Sequence, residues 1–449
     1  MPAGTQRQTK ETPMNLTRIA AALAVTLAPA AWGADLLGVY RDALVSDPVY
    51  QAARAQYVAT AERLPQARSG YLPFINGTAG ITHYWLDREG TPNFDYTYKT
   101  FGVTLSQPIF RLQNWIAIGQ AEKVVIQAEA TLAQAQQDLA LRTAQAYFDV
   151  LLARDTVAFS GSQKTAIDQQ LAQAKRNFEV GTATIVDTLE AQARYDQSVA
   201  KEIADIADLE VKTRTLLVLV GKMPDGLVPL REPLPLGLPS PNDVEQWVKV
   251  ASEGSFAIAV ARANYEIAQQ EVSRQKAGHL PTIDLQGSAT RVYDPTSAAP
   301  PISPIGNLGS VGIQLSVPIF QGGLQQSRVR EAVALRDRAE QDLENTQRTV
   351  AQTVRAGFLI VTSGISQVKA LEQALVSTQS QLDSTILGRD VGVRTSVDVL
   401  NAQQQVYQTR RDLQQARYNY LLNTMKLKAA TGQLTERDVE EVNRALARG

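Results

Sequence analysis

The amino-acid sequence predicts a mainly α-helical protomer, duplicated in tandem, that also carries four β-strands suited to a membrane β-barrel. Three observations predict this fold. The segment FGVTLSQPIF at 101–110 recurs as VGIQLSVPIF at 311–320. Each copy alternates between apolar and polar residues, which is typical of strands with two unlike faces. Each copy also precedes more than sixty residues without proline, which is typical of a long helix.

Composition and charge exclude several classes of function. The 449 residues include 44 lysines and arginines against 45 acidic residues, so the net charge of -1 gives no bulk attraction to nucleic acid. The absence of cysteine excludes disulfides, thiolate metal sites and cysteine nucleophiles. The two histidines, His83 and His279, lie far apart in the sequence and supply little material for metal or triad chemistry. We therefore expect no enzyme activity, no cofactor, no metal site and no nucleic-acid partner.

The first 34 residues predict a secretory signal peptide with an upstream extension. Residues 14–18 supply a short positive start before an apolar run at 19–31, and cleavage is expected near Gly33 or Ala34. Residues 1–13 read as an upstream extension or a misassigned start. No later run approaches the roughly 18 apolar residues that a membrane helix needs, so any membrane segment must be built from strands.

An internal duplication defines the domain organisation. Three pairs of segments recur in one order, at offsets of 208, 210 and 211 positions, beginning at residues 72 and 280, 101 and 311, and 180 and 391. The two halves, 35–222 and 243–434, are therefore expected to share one fold. A proline-rich linker at 223–242 joins them, and a C-terminal tail at 435–449 follows the second half.

Two strands are predicted in each half, at about 71–108 and about 280–318. The helix before them is expected to end near Pro65 in the first half and near Leu280 and Pro281 in the second. A length of about ten residues suits a tilted membrane strand, and eight aromatic residues are candidates for an interfacial girdle: Tyr71, Phe74, Tyr84, Trp85, Phe94, Tyr96, Tyr98 and Phe101. The alternative is a soluble β-sandwich whose aromatics fill an ordinary core.

The number of predicted strands has a consequence for assembly. Four strands cannot close a barrel, and a lipid-exposed sheet cannot leave an edge open. Because the smallest such barrels use about eight strands, the membrane interpretation requires an obligate oligomer. Two chains would supply eight strands, and three would supply twelve.

Long helices are predicted at 113–178 and 324–387, and each would span on the order of 100 Å. Each ends at a glycine turn, at Gly181 or Gly392, after which a second helix returns. These turns must be the tips of the bundle farthest from the strands. The alternative for the helices alone is a soluble structural coiled coil.

Charged side chains follow each tip. Asp187 and Glu190 share one helix face, as do Asp398 and Asn401, and Arg394 precedes the second pair. In a symmetric oligomer an inward-facing carboxylate becomes a ring, which selects for cations. The alternative is a solvated face near a helix N-terminus, where acidic residues are favoured without any function.

Several motifs in fixed order give the chain a resemblance to a known family. LSQPIF, LSVPIFQGG, GHLPTIDL, VGVRTSVDVL and ARYNYLLN resemble segments of the TolC-like outer-membrane efflux proteins, also called outer membrane factors. The resemblance covers nearly the whole chain after the predicted signal. It implies a homotrimer with a 12-stranded β-barrel in outer-membrane lipid and a 12-helix α-barrel tunnel in the periplasm. An equatorial region would include the proline-rich linker and the C-terminal tail.

The resemblance also implies a function. Such a protein is the exit duct of a tripartite efflux or type I secretion system in a Gram-negative cell, and is opened when a periplasmic adaptor and an inner-membrane transporter dock. The docking surface would include the hairpin tips at Gly181, Thr182, Gly392 and Val393. Periplasmic coiled-coil adaptors and scaffolds are the alternative class, and the choice between small-molecule and protein cargo stays open.

Motif matching implies roles for individual tip residues. Asp398 matches the first acidic ring of the family, Arg394 a restraining arginine, and Asp187 its acidic partner in the other repeat. Asn401 stands where the family has a second acidic ring, and Arg389 replaces a restraining tyrosine. We therefore expect a less negative constriction, with Arg389 and Arg394 facing Asp187 in the closed state.

Overall fold

A computed structural model describes residues 35–87, 89–90, 94–222, 226–293 and 305–446. The predicted signal peptide and upstream extension, residues 1–34, lie outside these ranges. The first half comprises α1 (Leu36–Ser46), α2 (Pro48–Ala61), α3 (Arg63–Ser69), β1 (Phe74–Leu86), β2 (Phe94–Phe110), α4 (Leu112–Glu179) and α5 (Ile185–Val220). The second half comprises α6 (Val244–Gly254), α7 (Phe256–Lys276), β3 (Thr282–Tyr293), β4 (Ile305–Ser316), α8 (Leu324–Asp390), α9 (Ser396–Ala430) and α10 (Glu436–Asn443).

Two long helices dominate the fold, as the sequence predicts. The α4 helix has 68 residues and α8 has 67, so each spans about 100 Å at 1.5 Å per residue. The α5 and α9 helices return beside them for 36 and 35 residues, about half that length. In the first half α2 and α3 continue the bundle along α4 toward the sheet, and α7 does so in the second half between α4 and α8.

The proline positions explain one difference between prediction and structure. The first helical segment does not end near Pro65: α2 ends at Ala61, and α3 begins at Arg63 with Pro65 in its first turn. Proline is tolerated there because the first-turn N–H groups have no partner within the helix. In the second half α7 ends at Lys276, just before Pro281, which agrees with the prediction.

The four strands form one antiparallel sheet in the order β1-β2-β3-β4. Phe74 pairs with Ser106 at the end of the sheet that adjoins the helices, and the pairs Leu86–Phe94 and Tyr293–Ile305 lie at the opposite end. The β4 strand ends at Ser316, two residues before Pro318, whereas β2 continues through Pro108 to Phe110. Pro108 is accommodated because β1 pairing has already ended, so its missing N–H costs no hydrogen bond on that side.

The register separates the sheet into an apolar face and a polar face. Paired residues share a face, and successive residues along a strand lie on opposite faces. One face, hereafter the outer face, carries Ile75, Ile81, Phe101, Val103, Leu105, Ile283, Leu285, Val311, Ile313 and Leu315. The other face carries mainly Asn, Thr, Ser, Gln and Gly, with Phe74, Tyr98, Val292 and Leu308 among the exceptions. Many outer-face apolar side chains are solvent-exposed in the single chain, up to 84% for Val311, so they lack a covering layer.

The predicted aromatic girdle is only partly supported by side-chain positions. Trp85 and Phe101 are exposed on the outer face, near the turns and in mid-sheet respectively. Tyr71 lies instead below the sheet, where its hydroxyl donates to the Arg111 carbonyl at 2.9 Å and its ring lies 4.9 Å from that of Trp115. The side chains of Tyr84, Phe94 and Tyr96 lie outside the described set.

Over the described residues, no helix combines sufficient length with the apolar character needed to cross a bilayer. The main hydrophobic core lies midway along the long helices, where α1, α4, α8, α9 and α10 meet. Residues 226–241 of the linker are tied onto this core by hydrogen bonds from Tyr147 to the Val228 carbonyl at 2.9 Å and from Tyr420 to the Gly237 carbonyl at 2.8 Å.

Candidate functional site

The two hairpin tips have the same backbone construction. The α4 helix ends at Glu179 and α8 at Asp390, and each is followed by a turn with a glycine of positive φ, +76° at Gly181 and +81° at Gly392. These left-handed conformations are the reason that glycine is needed at both turns. The other predicted docking residues, Thr182 and Val393, lie in the same turns and are exposed. All four predicted tip residues are therefore presented to solvent at the far end of the helices.

Asp398, predicted for the acidic ring, and Asp187, predicted as the partner of the restraining arginine, both take part in capping their own helices. The Asp187 carboxylate accepts hydrogen bonds from the Thr184 N–H at 2.9 Å and hydroxyl at 2.7 Å, and Thr184 accepts from the Asp187 N–H. Asp398 accepts from the Thr395 N–H at 2.9 Å in the second half. These two capping boxes satisfy N–H groups that a helix start leaves unpaired.

Capping also sets the charge of both carboxyl groups. The Thr184 hydroxyl, followed by its N–H, lowers the pKa of Asp187, and the Thr395 N–H, followed by its hydroxyl, lowers the pKa of Asp398. Hydrogen bonds to the charged form favour ionisation, so both acids carry a negative charge at neutral pH. Each carboxylate keeps lone pairs that the capping hydrogen bonds do not use, and these can bind a cation.

The predicted arginine lock is not formed within one chain. Arg389 pairs with its neighbour Asp390, at 2.7 Å between the guanidinium and the carboxylate. Arg394 lies over Gly388 and beside Asp398, whose pKa it helps to lower. Among the described contacts, Asp187 bonds to Thr184 and to neither arginine.

A different arginine connects the two hairpins near the tips. Arg194 on α5 donates to the Asn401 side-chain oxygen on α9 at 3.4 Å, and its guanidinium lies 3.9 Å from the Glu190 carboxylate. Sequence reasoning missed Arg194. The i,i+4 spacing from Glu190 was a visible signal, but its approach to Asn401 depends on how α5 packs beside α9. Both distances are long, so this bridge, hereafter the Arg194 bridge, is readily broken.

Polar groups continue along the seam between α4, α5 and α9. A cavity of about 250 Å³ lies there, lined by Arg194, Lys201, Asp205, Gln404 and Arg411 among others. Asp205 is buried, and one of its carboxylate oxygens accepts a hydrogen bond from the Lys201 ammonium at 2.5 Å. Its other carboxylate oxygen is buried without a hydrogen-bond partner, and so is the Arg411 Nε. Unsatisfied buried polar groups weaken packing, so this seam is less firmly closed than the central core.

Within the described ranges, no group of three or more histidines or acidic residues is placed to hold a metal ion. The candidate site is therefore a set of charged and polar side chains at the tips of long helical hairpins, on a chain whose sheet has an uncovered apolar face.

Comparison with known proteins gives this arrangement a family. A model of the family described as outer membrane efflux protein matches residues 39–222 and 247–433, one match in each half. The chain belongs to the outer membrane efflux protein family. It is 34% identical to outer membrane protein TolC of Vibrio cholerae, over 94% of this chain and 96% of that protein. It is 29% identical to the alkaline protease secretion protein AprF of Pseudomonas aeruginosa, over 95% and 90%.

Solved structures of outer membrane efflux proteins share the fold. A crystal structure of CusC superposes with a TM-score of 0.78 at 17% identity, covering 96% of this chain and 99% of that one. The Campylobacter jejuni CmeC outer membrane channel superposes with a TM-score of 0.77 at 16% identity, covering 92% and 90%. The predicted family, fold class and outer-membrane location are confirmed. The matched relatives are outer-membrane, efflux and secretion proteins, not enzymes.

Proposed function

We propose that three copies of this chain form a passive exit duct across the periplasm and outer membrane. The observation that carries the proposal is the open sheet, with one apolar face, one polar face and edges at β1 and β4. An open edge and an uncovered apolar face are both unfavourable, and closing the sheet in lipid removes both. Three sheets of four strands give twelve, with the polar faces lining a water-filled lumen.

The helical hairpins would continue this lumen for about 100 Å from the membrane. The duct has no energy source of its own in this proposal. A periplasmic adaptor and an inner-membrane transporter would dock at the tips around Gly181 and Gly392 and open them. Relatives named for protease secretion and for cation efflux both resemble the chain, so the duct itself does not select between protein and small-molecule cargo.

The domain organisation follows the same proposal. Residues 35–222 and 243–434 would be two repeats, each contributing two strands and one long hairpin. The linker 223–242 and the tail 435–449 would form an equatorial region around the central core. This assignment is supported by an antiparallel bridge between Leu230 and Leu446, which joins linker and tail.

A periplasmic coiled-coil adaptor is the competing class, and the outer face of the sheet argues against it. Exposed Val311, Ile313 and Leu315 would aggregate in water, whereas they are satisfied in lipid. Cell fractionation separates the classes, because an adaptor is extracted without detergent.

Electron microscopy of the detergent-purified mature protein tests the duct. We expect threefold tubes with a body on the order of 100 Å long. A soluble monomer or dimer without a lumen would reject both the trimer and the barrel.

The tip residues would form the gate of this duct, with Asp398, Asp187 and Glu190 supplying charge. We expect Arg194→Gln to raise the mean single-channel conductance, because it removes the link from α5 to Asn401 and Glu190. Arg394→Ala is the comparison variant, since the sequence predicted a lock at Arg394. A rise in Arg394→Ala but not in Arg194→Gln would show that the closed state uses contacts between protomers instead of the Arg194 bridge.

A further inference from the structure

Two cationic side chains interrupt the apolar outer face at the end of the sheet farthest from the helices. Lys99 pairs with Tyr293, and Phe101 pairs with Arg291, so these four side chains occupy a two-by-two block on β2 and β3. The cations lie on one diagonal of the block and the aromatic residues on the other. This block is hereafter the outer patch.

The aromatic side chains hold one cation in place. The Arg291 guanidinium lies 4.8 Å from the centre of the Tyr293 ring, and the Phe101 and Tyr293 rings meet edge to face at 6.2 Å. Cation–π contact orders a guanidinium while leaving its N–H groups free to bind an anion. Diagonal neighbours on paired strands have side chains about 7–8 Å apart, so the long side chains of Lys99 and Arg291 can both contact one phosphate group.

Among the described strand residues, no carboxylate is paired with Lys99 or Arg291. The one carboxylate on the described part of the outer face is Asp95, four residues farther along β2 from Lys99. Asp95 contacts His83, at 3.3 Å from the imidazole nitrogen. Lys99 and Arg291 are exposed. Two cations therefore stand together on a face that is otherwise apolar below them.

The outer patch lies at the height of a membrane surface. Arg291 is eight residues along β3 from Ile283, about 27 Å at 3.4 Å per residue. A strand tilt of 35–45° reduces this to roughly 20 Å, close to the ~25 Å apolar band of membrane barrels. Because the long helices leave from the other end of the sheet into the periplasm, this border faces the outer leaflet.

We propose that the outer patch binds the phosphate of a phosphorylated lipid in the outer leaflet. The inference rests on the proposed trimeric duct, which places the outer face in lipid. The acyl chains would lie on the apolar band, against Phe101 and Val103, while the phosphate bridges Lys99 and Arg291. The two cations favour an anionic headgroup at this height. The apolar band directly below them favours a ligand with acyl chains, which is a lipid and not a free ion.

Binding of diphosphorylated lipid A to the trimer in non-ionic detergent, measured by native mass spectrometry, tests the proposal. We expect the Lys99→Gln/Arg291→Gln variant to bind at least about tenfold more weakly, because two charge-assisted contacts are lost. The matched control is Lys175→Gln/Lys369→Gln, which removes two exposed cations from the helices and is expected to bind like the parent.

Two further probes separate the sources of phosphate. Lipid A stripped of both phosphates should bind parent and patch variant equally, and inorganic phosphate at about millimolar concentration should not displace the lipid. Equal binding of diphosphorylated lipid A by parent and patch variant would overturn the site. Displacement by inorganic phosphate would reassign the patch to free anions and overturn the lipid. A conducting trimer that fails these tests rejects the lipid site alone, whereas a chain that forms no trimer rejects the duct as well.

Discussion

Asn401→Asp is expected to lower the Mg²⁺ concentration that half-blocks single-channel conductance by about tenfold, because threefold symmetry turns one substitution into three charges. The added carboxylates would stand one helical turn from Asp398, which is already ionised because the Thr395 N–H holds its pKa below the usual range. A divalent cation at the axis would then meet two acidic rings in place of one.

Arg194 makes this prediction sharper. Its guanidinium lies 3.4 Å from the Asn401 oxygen, so it would partly neutralise a carboxylate at that position. We therefore expect the Asn401→Asp/Arg194→Gln variant to be blocked at still lower Mg²⁺ than Asn401→Asp alone. Asn401→Ser is the neutral control and should be blocked like the parent.

Several outcomes would contradict the ring. If Asn401→Asp is blocked by Mg²⁺ like the parent, residue 401 does not face the lumen. If the single and double variants are blocked equally, Arg194 does not neutralise the carboxylate at position 401. Planar-bilayer recordings with Mg²⁺ added to the tip side measure all four proteins under one condition. Screening by added salt should weaken the block in each of them.

The large elements of this fold were predictable because they depend on local chemistry. Proline-free stretches and the glycines at 181 and 392 define the long hairpins, and alternation with period two defines the strands. The aromatic residue Tyr71 was placed in the membrane girdle because its sequence neighbourhood is aromatic. Its actual contact with Arg111 and Trp115 depends on how a helix end meets the sheet, which periodicity does not reveal.

The candidate site was predictable in position but not in pairing. Asp187 and Asp398 lie at the tips as expected, but their capping hydrogen bonds to Thr184 and Thr395 were not recognised, although Thr-x-x-Asp is a visible capping pattern. Arg194 lies 207 residues from its partner Asn401. Contacts of that kind follow from the packing of α5 beside α9, and no local pattern encodes them.

Tyr147→Ala is expected to cost about 3–5 kcal/mol in the free energy of unfolding, because it removes a fully buried aromatic ring from the central core. The ring lies edge to face with Phe148 at 5.9 Å, within the region where α1, α4, α8 and α9 meet. Denaturant titration of the detergent-solubilised trimer, followed by circular dichroism, measures the change. Phe178→Ala, at a partly exposed tip position, is the control and should cost less than about 1 kcal/mol.

The hydroxyl of Tyr147 has a separate role, which Tyr147→Phe isolates. It donates to the Val228 carbonyl at 2.9 Å, and burial raises the pKa of Tyr147, so the donor keeps its proton at any physiological pH. Removing the hydroxyl should cost only about 1 kcal/mol globally. It should nevertheless loosen the linker locally, which limited trypsin cleavage after Arg231 would report. Slow cleavage equal to that of the parent would mean that the linker is held by Tyr420 and the bridge to Leu446, so that the equatorial region depends on α9 and the tail instead of α4.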